Sequence, residues 1–210
     1  MAETDWEGHY REGRTPWDKG APSPALREFL AVEPIFGRIL VPGCGLGHDV
    51  RALAAAHPEA WVVGLDIAPT AILAAKELGV PERVEFREGD LFSAGEAWNQ
   101  AFDWVWEHTC FCAISPELRD AYVAAVHTVL RPGGRLAGVF YLDPYDGEHR
   151  PEHGRPPFGC GIEELKERFG PRFELDAGRV PARAYPGREG REWLVGMRRR
   201  EESAKAREAE

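Results

Sequence analysis

Residues 40–50 read LVPGCGLGHDV, a short apolar run that opens into glycines at 43, 45 and 47. Glycines at alternate positions let a backbone turn sharply and approach a ligand closely. Two ligand loops of this kind are excluded by the neighbouring residues. A dinucleotide fingerprint needs Gly or Ala at position 48, which is His48, and a phosphate loop needs Gly-Lys-Ser/Thr, yet no lysine is near. What remains is a strand, a glycine turn and a helix start, with amides turned toward an anionic or polar group. A tight turn with nothing bound fits the same pattern.

Two acidic residues fall where the next apolar runs end. Asp66 closes AWVVGLD (60–66), 21 residues after Gly45, and a carboxylate there can accept hydrogen bonds from two vicinal ribose hydroxyls. Because IAPT follows, Asp66 can equally cap a helix. Asp90 and Leu91 stand in GDLF, just after RVEFRE (83–88). A carboxylate beside a free N–H can accept from an adenine amino group and donate to the adjacent ring nitrogen; a plain turn is the competing reading. In open α/β sheets ligands lie beyond the carboxyl ends of the strands, so these tips converge. Gly43, Gly45, Asp66, Asp90 and Leu91 together fit an adenosine without a pyrophosphate, and S-adenosylmethionine is such a molecule.

Positioning these residues requires a particular scaffold. Strands are predicted at 38–43, 60–66, 83–88, 102–108 and 135–141, with helices at 48–57, 69–78 and 116–130, the alternation of a parallel sheet flanked by helices. Ser115-Pro116-Glu117 predicts a capped start for the last of these helices, and RPGG (131–134) predicts its stop. After a short helix over 161–169, RFELDAGRV and REWLVGMRR follow without a helix between them, which predicts an antiparallel hairpin and a total of seven strands. The expected division is an N-terminal arm and lid helix (1–36), one α/β domain (37–199) and a charged tail (200–210), frayed or disordered.

Composition narrows the partners. The chain has 210 residues, 43% hydrophobic and 29% charged, enough for one domain with a substantial core. A formal net charge of −9 argues against nucleic acid, which needs a basic face. No apolar run approaches a membrane span and the acidic, aromatic start is unlike a signal peptide, so a cytoplasmic protein without a membrane partner is expected. Cys44, Cys110, Cys112 and Cys160 lack paired C-x-x-C spacing, which argues against metal and disulfide and for buried reduced thiols. A monomer or weak oligomer acting on a small molecule or anion is the expectation.

VLRPGGRLAGVFY resembles the corresponding helix, turn and fifth strand of class I methyltransferases, which implies a Rossmann-like seven-stranded sheet with its last strand antiparallel and helices on both faces. DWEGHYREGRTPWDKGAPSPAL (5–26), VPGCGLGHDV (41–50), FDWVWEHTCFCAISPELR (102–119) and GRPPF (154–158) together resemble the thiopurine, halide and thiol methyltransferase family. The resemblance runs from about Trp6 to the final strand. It implies an N-terminal arm whose aromatic residues close over S-adenosylmethionine, here Trp6, Tyr10 and especially Trp17. Tyr10 departs from the tryptophan of plant halide-type members. The physical chemistry agrees, since an indole face attracts a sulfonium cation within about 6 Å; Trp17 as a core anchor for the arm is the plainer reading. The other tryptophans, at 61, 98, 104, 106 and 193, are read as structural.

At the fourth strand tip the family divides. Members that methylate thiopurines resemble Asp-Arg-Gly there, and halide-type members Asp-Tyr followed by apolar residues; this chain has Glu107, His108 and Thr109, then CFCAI. The arginine is missing and the halide/thiol type matches better. His108 is a cofactor or substrate contact or only a polar wall, and Tyr141 and Phe158 join Trp17 as candidate pocket residues. No catalytic residue is assigned, because an acceptor that is already an anion needs no general base. The implied activity is in-line methyl transfer to a halide, thiocyanate, sulfide or thiol. Aromatic thiols, tellurium or selenium oxyanions, a catalytically silent S-adenosylmethionine-binding protein and a nicotinamide oxidoreductase stand as alternatives, the last opposed by His48 and the terminal hairpin.

Overall fold

The computed structural model describes residues 4–145 and 154–201. Helix α1 (Trp6–Arg11) and helix α2 (Pro24–Leu30) precede strand β1 (Arg38–Pro42) and helix α3 (His48–Ala56). Strand β2 (Trp61–Asp66), helix α4 (Pro69–Glu77), strand β3 (Val84–Glu88), helix α5 (Gly95–Trp98) and strand β4 (Phe102–His108) follow. Helix α6 (Arg119–Val129), strand β5 (Leu130–Tyr141), helix α7 (Ile162–Phe169), strand β6 (Phe173–Leu175) and strand β7 (Glu192–Arg199) complete the chain.

The seven strands form one sheet in the order β3-β2-β1-β4-β5-β7-β6. Strands β1 to β5 are parallel, and β7 runs antiparallel to both β5 and β6. Parallel strands are buried on both faces, so alternate residues serve different cores. Ile39, Val41, Val62, Trp104 and Trp106 pack with Leu26 and Phe29 of α2, Leu53 of α3 and Ile72 of α4. Leu40, Val63, Val105 and Leu136 pack with Tyr122 and Val126 of α6 and Phe169 of α7 on the other face. The strand order reverses between β1 and β4, leaving a crevice beyond their carboxyl ends where such sheets take ligands.

Three local expectations change. Ser115 makes no capping hydrogen bond; Pro116–Leu118 form a single 3₁₀ turn, and α6 starts at Arg119. Arg131–Gly134 do not stand as a separate turn: β5 starts at Leu130, paired with Phe102, and its register to β4 resumes at Arg135 opposite Trp104, so the four residues bulge out of the strand. Gly133 takes the positive φ that this requires. The hairpin contains only three residues of β6, Phe173–Leu175. The tail expected over 200–210 lies outside the described residues beyond Glu201. Among the described residues no helix is long and apolar enough to cross a membrane.

Candidate active site at the strand tips

The glycine turn follows β1 with φ values of 58°, 51° and 76° at Gly43, Gly45 and Gly47, a region where side chains are strained. Space demands glycine as well. A Cβ at Gly43 would lie 2.9 Å from Cys110 Sγ, at Gly45 2.8 Å from the Tyr10 hydroxyl, and at Gly47 2.4 Å from the Phe86 ring. The amides expected to face a ligand are largely used within the chain. Cys44 N–H donates to Leu65 O, Gly47 N–H to Cys44 O and Gly45 N–H to Asp66 Oδ2 at 2.8 Å. The turn is therefore fastened to the tip of β2, where Asp66 also accepts from Ala68 N–H at 3.0 Å. The structural reading of Asp66 is seen here, because this second bond anchors the start of α4. Asp66 is buried, which raises its pKa against the pull of the amides. The Ile67 amide also draws on this carboxylate, which leaves about one of its four lone-pair directions for an outside donor.

At the tip of β3, Asp90 Oδ1 accepts from Phe92 N–H at 2.9 Å, so Asp90 shapes a turn, and Leu91 is buried beside it. Ile67 and Phe92 follow the β2 and β3 tips and are 48% and 41% exposed, giving these neighbouring tips an apolar surface that the sequence did not single out.

The N-terminal arm lies over this end of the sheet. Trp17 is the hub of an aromatic cluster: Trp6, His9 and Tyr10 meet it edge-on at 5.3, 5.5 and 5.8 Å. Its indole N–H donates to the Tyr10 hydroxyl at 3.2 Å, and Tyr10 in turn covers Gly45. The arm is tied to the domain through polar groups. The Glu7 carboxylate accepts from Thr70 N–H and Thr70 Oγ1–H at 3.0 and 2.6 Å, holding α1 on the first turn of α4. Asp18 pairs with His48 at 3.1 Å, Tyr185 donates to Ala21 O, and Ser23 N–H donates to Asp49 at 2.7 Å.

His108 ends β4, next to β1, and Thr109 after it adopts φ 64°, a conformation that is unusual for a β-branched residue and turns the chain sharply. The His108 ring is fixed on two sides. Nδ1 lies 2.9 Å from Asp49 Oδ2, and the ring stacks on Tyr185 at 5.8 Å and 29°. Asp49 is buried in the first turn of α3 and also accepts from the Trp106 indole N–H at 2.8 Å. Burial opposes its charge, but His108 and these donors hold its pKa below the ordinary value. Glu107 points to the other side of β4, accepting from Phe111 N–H at 2.9 Å and from the Tyr122 hydroxyl. Burial raises its pKa, and it serves as an internal cap of the strand tip.

Residues 107–109 carry no arginine, but one from a distant segment comes close to His108. Arg188, in the connection between β6 and β7, stacks over Tyr141 at 4.7 Å and Tyr185 at 5.6 Å and pairs with buried Glu192 at 3.4 Å. Phe158 N–H donates to Cys112 O at 2.6 Å, so the GRPPF segment docks on the turn after β4. Buried Arg119 fixes it by donating to the carbonyls of Phe158 and Gly159 at 3.0 and 3.2 Å, while binding Glu164 at 2.9 Å. The four thiols are free, and burial raises their pKa values, to about 12 for Cys112 and Cys160, as befits packing groups. Among the described residues no group of His, Cys, Asp and Glu is arranged to hold a metal ion.

Asp49, Tyr185, Arg188 and Glu192 were not singled out in the sequence. Asp49 was visible only as part of the Cys-Gly-x-Gly-His-Asp motif, Tyr185 and Arg188 lie in a Gly/Pro-rich connection without a local pattern, and Glu192 opens β7.

A parallel sheet in this order with a single reversed strand, and a glycine turn, Asp66 and an aromatic arm at its carboxyl end, define a class I methyltransferase fold. The family model for thiopurine S-methyltransferase (TPMT) matches residues 1–203. Thiocyanate methyltransferase 1 of Arabidopsis thaliana is 35% identical over 203 residues, covering 92% of this chain and 84% of the relative. A probable thiol methyltransferase 2 of the same plant is 34% identical over 169 residues, 77% and 70% of the two chains. The chain belongs to the thiopurine S-methyltransferase family. In fold it is similar to 1,6-didemethyltoxoflavin-N1-methyltransferase of Burkholderia thailandensis, solved with 1,6-didemethyltoxoflavin and S-adenosylhomocysteine, with a TM-score of 0.72 at 23% identity over 94% of this chain and 86% of that one.

Proposed function

We propose that this methyltransferase transfers the methyl group of S-adenosylmethionine to a small soft nucleophile, a thiol, hydrosulfide, thiocyanate or halide. What carries the reading is the meeting at one crevice of the fastened glycine turn, buried Asp66 and the Trp17 cluster. The residues fit the cofactor. Asp66 keeps a lone pair for a ribose hydroxyl, and Ile67 and Phe92 offer apolar surface beside Asp90 and Leu91, suited to a purine. Backbone at Gly43 and Gly45 allows close approach, and the faces of Trp6, Tyr10 and Trp17 suit a cation. The names of the two Arabidopsis relatives support a sulfur acceptor.

S-adenosylmethionine supplies an electrophilic methyl carbon on a positively charged sulfur. The chain has to hold the acceptor in line with that carbon and keep water out, and both lower the barrier. We assign the arm before residue 37 to the lid and Tyr141, Phe158 and His108 to the acceptor wall. Calorimetry with S-adenosylhomocysteine tests the cofactor: one-to-one binding is expected, and none with NAD. Incubation with S-adenosylmethionine and separate iodide, thiocyanate, sulfide and thiol samples, scored for S-adenosylhomocysteine and methylated product, tests the acceptor. Absence of turnover with all four refutes the reading.

A further inference from the structure

His108 and Asp49 stand in an arrangement that binding a bare anion does not require. Asp49 Oδ2 lies 2.9 Å from Nδ1, so in neutral His108 the proton sits on Nδ1 and the lone pair on Nε2. Asp49 is itself immobilised, since Ser23 N–H from the arm and the Trp106 indole N–H from β4 hold its two oxygens. The His108 side chain is only 14% exposed, and its Nε2 is buried with no hydrogen-bond partner among the described residues. A buried polar atom without a partner is unusual and calls for one supplied from outside the chain. The wall around the ring carries Asp49 from α3, Tyr185 and Arg188 from the β6–β7 connection, Glu192 from β7 and Glu107 next to it in β4.

We propose that His108 Nε2 is the general base for a protic sulfur acceptor, hydrogen sulfide or a thiol, with Asp49 as its positioning residue. This rests on the methyl-transfer reading above and names the acceptor within it. The acceptor S–H passes its proton to Nε2, giving a thiolate (or, from hydrogen sulfide, hydrosulfide) beside an imidazolium that Asp49 balances. A lone pair of the thiolate sulfur then forms the new S–CH₃ bond as the donor S–CH₃ bond breaks, with its electron pair returning to the donor sulfur. The proton leaves His108 for water as the product departs. Burial disfavours the imidazolium, yet Asp49, supported by Glu192 and opposed by Arg188, holds the pKa of His108 above its ordinary value. That moves the base toward the range of a thiol, where proton transfer is close to balanced.

The test needs no variant at first. The kcat/KM of the wild-type protein is measured against pH for two alkyl thiols of different pKa, both above that of His108. Both profiles should rise at one common pKa, equal to that of a histidine resonance assigned to His108 by NMR in the protein without cofactor. Rising limbs that instead follow each thiol's own pKa overturn the proposal. His108→Asn keeps an N–H near the Nδ1 position for Asp49 and removes Nε2. At neutral pH it should lower thiol turnover by about 100-fold or more, the usual scale of general-base catalysis, and lower thiol-to-thiocyanate selectivity by at least about 30-fold. Equal losses for thiol and thiocyanate would make His108 an anion clamp and refute the base. Asp49→Asn should move the NMR pKa and the kinetic limb down together, which a purely structural role would not do. Wild-type protein that binds no S-adenosylhomocysteine and methylates nothing ends the methyl-transfer reading. Protein that binds it and methylates thiocyanate but no thiol ends only this proposal.

Discussion

Asp49→Ala offers a direct measure of how far one carboxylate holds the arm, the sheet and the wall together. Asp49 is 6% exposed and accepts from Ser23 N–H, Trp106 Nε1–H and His108 Nδ1 at 2.7, 2.8 and 2.9 Å. Its loss leaves the Ser23 amide and the Trp106 indole as buried donors without acceptors, at about 1–3 kcal/mol each. His108 can respond by staying neutral. Relief of the desolvation of a buried charge offsets part of the loss, so a net destabilisation of about 3 kcal/mol is expected. For a chain of this size that lowers the melting temperature by roughly 6–12 °C. Thermal unfolding followed by circular dichroism at pH 6 measures it. Trp106→Phe in the same background removes one orphaned donor, so the double variant should be less destabilised than the sum of the single ones by about 1–2 kcal/mol. A melting temperature within about 2 °C of wild type, or strict additivity, would refute the claim that Asp49 is the shared acceptor.

Asp66→Ala removes the proposed ribose acceptor and the tie to Gly45, and should weaken S-adenosylhomocysteine binding by ~1.5–3 kcal/mol in calorimetry; unchanged affinity would remove Asp66 from the site. Trp17→Ala deletes the hub of the arm's aromatic cluster, so limited proteolysis should cut before Leu26 more readily, and S-adenosylhomocysteine should protect the wild-type arm but not this variant's. Gly47→Ala puts a methyl group 2.4 Å from Phe86 at φ 76°, so it should cost more than the ~1–2 kcal/mol of a left-handed alanine alone, read from urea unfolding. The His108–Asp49 pair also predicts a pH window. The folded pKa of His108 is raised, so its contribution is complete below the unfolded value of ~6.5 and is lost as pH rises through the folded one. The folded pKa of Asp49 is lowered, so its contribution holds above ~3.9 and is lost as pH falls through the folded value. The pair therefore stabilises most between about pH 4 and 6.5, and His108→Asn should lose less stability than wild type when pH is raised from 6 to 9.

Features that depend on neighbours in the chain were legible in the sequence. The apolar runs, the glycine turn after β1, Asp66 at the end of β2 and the helix-free hairpin at the end all follow from local spacing, and with them the sheet and the edge proposed to take the ligand. Trp6, Tyr10 and Trp17 were named as a group through the family resemblance of the arm, but the edge-on packing around Trp17 was not legible. Local patterns misled where two local structures compete: Arg131–Gly134 read as a turn, but pairing of Leu130 with Phe102 drew them into β5 as a bulge. The turn amides read as free, but Asp66 and the chain's own carbonyls took them, since the approach of β2 to β1 is a tertiary fact.

The proposed acceptor wall was decided almost wholly by tertiary structure. Trp106 and Asp49 are 57 residues apart and meet only because β4 inserts beside β1, which brings the end of one strand to the helix that follows the other. Arg188 supplies a guanidinium that residues 107–109 lack, and it arrives through a Gly/Pro-rich connection whose path no hydrophobic period encodes. Sequence spacing specifies which side chains share a face of one element. The order of strands in the sheet decides which of those faces meet, and for this chain it turned an aspartate of the glycine-turn motif and a histidine that read as a wall residue into a hydrogen-bonded pair.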